Sequence, residues 1–196
     1  MWVRYYISAI ILVLFFSCAG VPISQTGSHA RVSISPNYKP SQINKVAILP
    51  FENIGAPGID QAIADKFAMY FMDLGFVVVE RSQLEYVLSE MNLTNSNKLS
   101  PSQLEEIGVQ LKIDAILMGT MQYKYVPGSS YVNAYGGSSV EGHTKIIQET
   151  LRLVSISSGE VLISVQCPGV RGGSISEEIF LKLKGSSIKP MPYKTL

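Results

Sequence analysis

Residues that carry chemistry are scarce in this sequence. It holds two cysteines and two histidines in 196 residues. His29 lies in a Ser/Gly/Thr-rich stretch and His143 at the base of a predicted hairpin. The converging ligands that a metal needs are therefore not in view, and no metal or cofactor is expected. A strong charge of one sign is missing as well. The formal net charge is +1 and the basic residues are scattered, so the chain offers no stripe for a phosphate backbone and no nucleic-acid partner is expected. No serine sits in a nucleophile-elbow context, and no glycine-rich loop carries the lysine that cradles phosphates. Cys167 reads as a small core residue on an apolar strand rather than as a nucleophile served by His143. Glu105-Glu106 belongs to a solvated helix face. Lacking the groups for acid–base, nucleophilic or metal-assisted chemistry, the chain is read as non-enzymatic.

A membrane-spanning run is also absent. Tyr5 to Phe16 is apolar but shorter than the ~20 residues a helix needs to cross a bilayer. Preceded by Arg4, it matches the core of a signal peptide. The run ends Phe15-Phe16-Ser17-Cys18, which resembles the lipobox of bacterial lipoproteins. That resemblance implies that residues 1–17 are removed and that Cys18 is lipidated and becomes the new N-terminus. Palmitate-type chains contribute about 0.8 kcal/mol per buried methylene, enough with more than one chain for durable attachment. Ala19, rather than Asp, implies sorting to the outer membrane, facing the periplasm. An uncleaved anchor and a secreted protein with an ordinary Cys18 thiol stay open at this point. Residues 18–44 form the lipidated start and a flexible tether rich in Ser, Gly, Pro, Gln and Thr, in which Val32 and Ile34 alternate and allow a short edge strand. Fully extended, Ala19 to Asn44 would reach about 85–95 Å.

What is present is an alternation of strand and helix periods over residues 45–185, followed by a loosely draped tail over 186–196. Lys45 to Phe51 is the first core strand, ended by Pro50. A glycine-rich turn from Asn53 to Gly58 leads to a helix with Ile59, Ile63, Phe67, Phe71 and Leu74 on one face, closed by Gly75. Phe76 to Glu80 reads as a strand buried on both faces. Ser82 with Glu85 suggests a capping box for a helix carrying Leu84, Val87, Leu88 and Met91 inward. Ser100-Pro101 caps another, with Leu104, Ile107 and Leu111 inward. Ile113 to Tyr125 is a long strand, broken by Pro127-Gly128. Thr144 to Ser157 and Glu160 to Gln166 are two more, joined by Ser157-Ser158-Gly159, with Leu151, Leu153, Val161, Ile163 and Val165 facing in. Ser174, with Glu177 three residues on, opens a last helix that buries Ile175, Ile179, Phe180 and Leu183 and ends at Gly185. The fold class is α/β: a single domain whose mixed, mostly antiparallel sheet of about five strands is covered by helices.

The segments Val46 to Phe51, Val79-Glu80-Arg81 with Leu84 and Leu88, Ile113-Asp114-Ala115 to Gly119, and Val154 to Glu160 resemble the CsgG-like lipoprotein family over roughly Lys45 to Leu183. The resemblance implies an α/β periplasmic fold shared with LpoB and the N-terminal domain of TolB. It also implies a role in secretion or envelope assembly. In that family a constriction loop follows the first strand and two hairpins enter the membrane. Here the loop corresponds to Glu52 to Asp60, which has no aromatic residue. The first hairpin corresponds to Tyr123 to Thr144, broken by Pro127-Gly128, and in place of the second, Cys167 to Ser174 passes in a few residues to the last helix. The expectation is an outer-membrane-anchored, non-enzymatic accessory or oligomeric scaffold without a complete pore. The alternative is an LpoB-like activator of a peptidoglycan synthase, using the tether for reach. Partners are then the outer membrane, through the lipid, and periplasmic proteins or a second copy. Tyr123, Tyr125, Tyr131 and Tyr135 keep one parity on the hairpin and are the candidate partner-binding residues, since tyrosine presents large amphipathic area at low entropy cost.

Overall fold

The first strand of the sheet comes from the stretch read as tether. The computed structural model describes residues 30–55, 59–93, 99–128, 130–132, 138–140, 142–169 and 174–189. It starts with β1 (Arg31–Ile34), β2 (Lys45–Ile48), β3 (Phe51–Ile54) and β4 (Ile59–Asp60), then α1 (Gln61–Asp73), β5 (Val77–Val78) and α2 (Arg81–Glu90). There follow α3 (Pro101–Leu111), β6 (Ala115–Val126), the short strands β7 (Ser130–Val132) and β8 (Ser138–Val140), β9 (His143–Ser155), β10 (Val161–Pro168) and α4 (Ile175–Gly185). β6 and β9 pair along almost their whole length, and around them an eight-stranded sheet runs β1-β10-β9-β6-β2-β5, with β3 on β6 and β4 on β3. Pairing is antiparallel from β1 to β6 and parallel where β2 meets β5 and β6 and where β3 meets β6. The sheet exceeds the expected five strands by short ones, β1 and β4 among them.

Hydrophobic side chains gather on both sides of the sheet. On one side α1 and α4 press Phe67, Phe71, Ile179 and Leu183 against Phe51, Leu117, Met121, Leu151 and Val165. On the other, α2 and α3 press Leu84, Leu88, Leu104 and Ile107 against Ala47, Leu49, Ile116, Met118 and Val154. An aromatic pile continues the first core outward: Phe51 stacks on Phe67 at 5.2 Å, Phe67 meets Tyr70 edge-on at 5.6 Å, and Tyr70 stacks on Phe180 at 4.3 Å. The inward stripes expected of the helices are thus the ones observed, with Ile63, Met91 and Phe180 only partly covered.

Several local expectations are corrected. Phe76 to Glu80 is no central strand: only Val77 and Val78 pair, β5 is the sheet's edge, and Val77 is 50 % exposed. The continuous apolar run serves instead to seat Phe76 and Val79 in the two cores. The helix α2 is capped by Glu80 rather than Ser82, because the Glu80 carboxylate accepts from the Ser82 amide at 2.8 Å and Arg81 is already helical. At α3 the expected cap is present, with Ser100 and Gln103 exchanging reciprocal bonds. Lys45 to Phe51 divides at Leu49-Pro50 into β2 and β3, both parallel to β6; β3 runs on to Ile54, so Asn53 and Ile54 are strand where the turn over Asn53 to Gly58 was expected to begin, and Ile59-Asp60 pairs back on it. Ile59 accordingly lies in β4, ahead of α1. Gly75 does end that helix, at a φ of 91° that suits glycine alone. In β10 the register shifts between Val161 and Ile163, so Val161 turns outward, 43 % exposed, while Leu162 and Ile163 are buried.

Both ends of the described chain are docked. The tether reading fails from Ala30 onward. Ala30 is buried and its amide donates to Glu178 Oε1 at 3.0 Å, β1 pairs with β10, and Ile43 is buried. Beyond Gly185 the chain is packed as far as Lys189: Ile188 is buried, its carbonyl accepts from the Tyr38 hydroxyl, and Lys189 lies over the Phe76 ring at 4.7 Å. Residues 190–196 lie outside the described residues.

Candidate functional site

The residues that mark the family resemblance do structural work. Asp114 Oδ2 accepts from the amides of Asn44 and Lys45, each at 2.8 Å, fixing the start of β2 beside the start of β6. Lys45 Nζ donates to the Leu111 carbonyl at 2.8 Å. Hydrogen bonds from the Ser82 hydroxyl, and from the Ser82 and Gln83 amides, hold the exposed Glu80 carboxyl below its ordinary value. Arg81 pairs with Asp65 and ties α2 to α1.

Cys167 is fully buried on β10, and burial, then the nearby carboxylates of Glu178 and Glu149, push its thiol up to about 11. A thiol held protonated in this way is a poor nucleophile. Beside it lies a polar pair the sequence reading did not single out. Glu149 is buried and accepts from Ser176 Oγ at 3.0 Å across the β9–α4 contact. Parity was the available signal, since Glu149 alternates with the inward Leu151 and Leu153. Among the described residues no group of three His, Cys, Asp or Glu is placed to hold a metal.

The tyrosine hairpin separates by environment. Tyr123 and Tyr125 lie on β6 beyond its contact with β3, paired with Ile146 and Thr144. Tyr123 packs against the α1/α4 core and its hydroxyl lies 3.6 Å from Met121 Sδ, so it is largely a packing residue. Tyr125 is 60 % exposed. Its ring covers Gly142, where a Cβ would come within 1.8 Å of the hydroxyl. With Lys124, Pro127, Lys145, Ile147 and Gly169 it lines a shallow groove of about 380 Å³. Tyr131 lies on β7, opposite Ser139 of β8. Tyr135 and Cys18 lie outside the described residues, and so does any juxtaposition of all four tyrosines. A bulge interrupts the hairpin: Gln122 pairs with Gln148 but Tyr123 with Ile146, leaving Ile147 as the extra residue, 40 % exposed.

The other candidate surface is the part of the sheet that α2 and α3 leave open. Side chains of directly paired residues point to the same face. Ser33, Ser164 and Arg152 form one cross-strand row, ending at Met118. Arg31, Gln166, Thr150, Thr120 and Glu52 form the next. Gln148, Gln122 and Ile54 form a third, and Lys145 with Lys124 a fourth. Met118 belongs to the α2/α3 core, which fixes the side, and the helix that touches β9 and β10 is α4, on the opposite face.

Comparison with known proteins gives one family and several distant folds. Residues 55–179 match the family described as curli production assembly/transport component CsgG. No curated protein matches the chain. Among solved structures, the LpoB C-terminal domain of Salmonella enterica is 12% identical, covering 65% of this chain and 83% of its own, with a TM-score of 0.45. The PelC dodecamer of Paraburkholderia phytofirmans is 15% identical over 83% of this chain and 98% of its own, TM-score 0.43. Lipoprotein GNA1162 of Neisseria meningitidis is 15% identical over 74% and 98%, TM-score 0.46.

Proposed function

From its membership of the CsgG family, which the match over residues 55–179 establishes, we propose that this chain is a non-enzymatic lipoprotein scaffold of the bacterial envelope. It is held to the periplasmic side of the outer membrane through Cys18 and works by binding proteins. The family match is the observation that carries this reading. The buried, protonated Cys167 and the structural use of Asp114, Glu80 and Arg81 agree with it, because the residues that mark the family serve the fold rather than a reaction.

A scaffold without a complete pore is supported by strand length. Beyond its contact with β3, β6 continues only from Tyr123 to Val126 before Pro127, about 13 Å of rise against an apolar band of about 25 Å in membrane barrels. Between β10 and α4 there remain only residues 169–174, too few for a second membrane hairpin. The docking of Ala30 and β1 bears on the alternative role of synthase activator. The stretch between Cys18 and Ala30 spans at most about 40 Å fully extended, half of what the undocked tether would reach. A scaffold close to its own membrane is therefore favoured over a regulator that acts far across the periplasm.

The test is metabolic labelling with palmitate in a bacterial host. The chain is expected to take up label and to fractionate with the outer membrane, and Cys18→Ala to lose both. An unlabelled wild type overturns the anchor. Partners that co-purify with wild type from crosslinked cells, and not with Cys18→Ala, support the scaffold role.

A further inference from the structure

The two sides of the sheet are covered unequally. α1 and α4 cover one side out to the edge strand β1, whereas α2 and α3 cover the other only from β5 to the near part of β6 and end of β9. Among the described residues no helix covers the rest of that second side, which is an open shelf beside the chain's own helix layer. Its charges are Arg31, Arg152, Lys124 and Lys145, with Glu52 the opposing charge in its rows, and all are exposed. Lys124 and Lys145 stand directly opposite each other, an arrangement that is unfavourable unless an anion lies between or above them. Among the described residues none of these four cations is in an ion pair. Ile54, 47 % exposed, lies among them.

The outer surface of the α2/α3 layer has the opposite character. Glu85 and Glu90 on α2 and Glu105 and Glu106 on α3 are exposed, with Lys112 the described cation at the end of α3. Tyr86 and Val109, 64 % and 72 % exposed, stand among these carboxylates. An exposed apolar group beside charges therefore occurs on each surface, with cations in the majority on the shelf and carboxylates in the majority on the layer.

We propose that the shelf is the docking site for the acidic α2/α3 layer of a second copy of this chain. The neighbour's helices then extend the missing helix layer across the sheet, with its carboxylates over Arg31, Arg152, Lys124 and Lys145. Different patches meet in such a contact, so it is head-to-tail and repeats, giving a ring if the rotation closes and a filament if it does not. The contact deepens the scaffold reading by naming the partner and the two faces. It uses no residue of the lipid anchor.

The test uses the full chain extracted in detergent, two charge-reversed variants and analytical ultracentrifugation. The shelf variant carries Lys124→Glu and Arg152→Glu, and the layer variant Glu85→Lys and Glu105→Lys. All four positions are exposed, and unchanged circular dichroism and melting show that each variant folds. Wild type is expected to assemble beyond the dimer and each variant to lose about tenfold or more in self-affinity. An equimolar mixture of the two variants should recover assembly, because the intact layer of one fits the intact shelf of the other and the two reversed faces again carry opposite charges. A monomeric wild type, a variant that assembles like wild type, or a mixture that stays apart each overturns the proposal. So does loss of binding to phosphatidylglycerol vesicles by the shelf variant with self-association untouched, which assigns the shelf to a lipid surface. A palmitate-labelled but monomeric protein separates this failure from that of the anchored scaffold.

Discussion

Gly119→Ala tests the packing on which the hairpin and its surfaces stand. Gly119 lies in the middle of β6, paired with Leu151, and an added Cβ would sit 2.1, 2.4 and 2.5 Å from the Cε1, Cδ1 and Cζ atoms of Phe51. An ordinary carbon contact is about 3.5 Å, so the ring has to retreat by about 1 Å. It has nowhere to go, being fully buried and stacked on Phe67, which is itself held by Tyr70. Overpacking of this kind costs about 1–3 kcal/mol. At about 2–4 °C per kcal/mol for a domain of this size, the melting temperature should fall by about 2–12 °C. Thermal and urea unfolding followed by circular dichroism measure it. Phe51→Leu shortens the ring and should make Gly119→Ala less costly in its background, with a coupling of at least about 1 kcal/mol in the double-mutant cycle. Additive effects, or an unchanged melting temperature for Gly119→Ala, would refute the close approach and the rigidity of the aromatic pile.

Further outcomes follow from the same packing. Ile188→Ala removes a buried side chain and should cost about 2 kcal/mol or more in urea unfolding, whereas a loosely draped tail predicts no change. Ser100→Ala breaks the reciprocal cap of α3 and should cost about 1 kcal/mol by the same assay, with a neutral result contradicting the cap. Stability should decline from pH 9 upward. The folded chain keeps the Cys167 proton until about 11 and the Tyr38 proton until about 12, against ordinary values of 9.0 and 10.0. The unfolded chain therefore binds fewer protons across that window, and the contribution present below pH 9 is lost as pH rises. Tyr38→Phe should flatten the upper part of the decline and Cys167→Ala the lower, and an unaltered pH profile for both would contradict these burials.

The core was legible because its signal is periodic. The i, i+3, i+4 spacing of Leu84, Leu88, Leu104, Ile107, Ile179 and Leu183 identifies the faces that are buried, and the alternation of Leu151 and Leu153 identifies an inward strand face. The edge position of β5 was not legible, since a short apolar run reads alike whether its strand is central or peripheral. Val77 shows the difference only through the tertiary pairing. Docking of Ala30 to Ile34 and of Ile188 depends on single contacts from weakly patterned segments, where composition suggests a loose chain. The candidate surface was legible in part. Tyrosine parity drew attention to the hairpin, but it did not reveal that Tyr123 is packed and Tyr125 exposed, because a core that ends partway along the strand leaves no mark on alternation. The open shelf required the strand order. Arg31, Arg152, Lys124 and Lys145 are far apart in sequence and share a face only through the β1-β10-β9-β6 register.

We propose that this CsgG family member is processed and lipid-anchored in the bacterial envelope. Intact-mass spectrometry of the chain extracted from bacterial membranes tests it most directly. The expected result is a mature polypeptide that begins at Cys18 and carries acyl chains on that residue. A chain that retains Met1 to Ser17, or one recovered from the soluble fraction with a free Cys18 thiol, would contradict it.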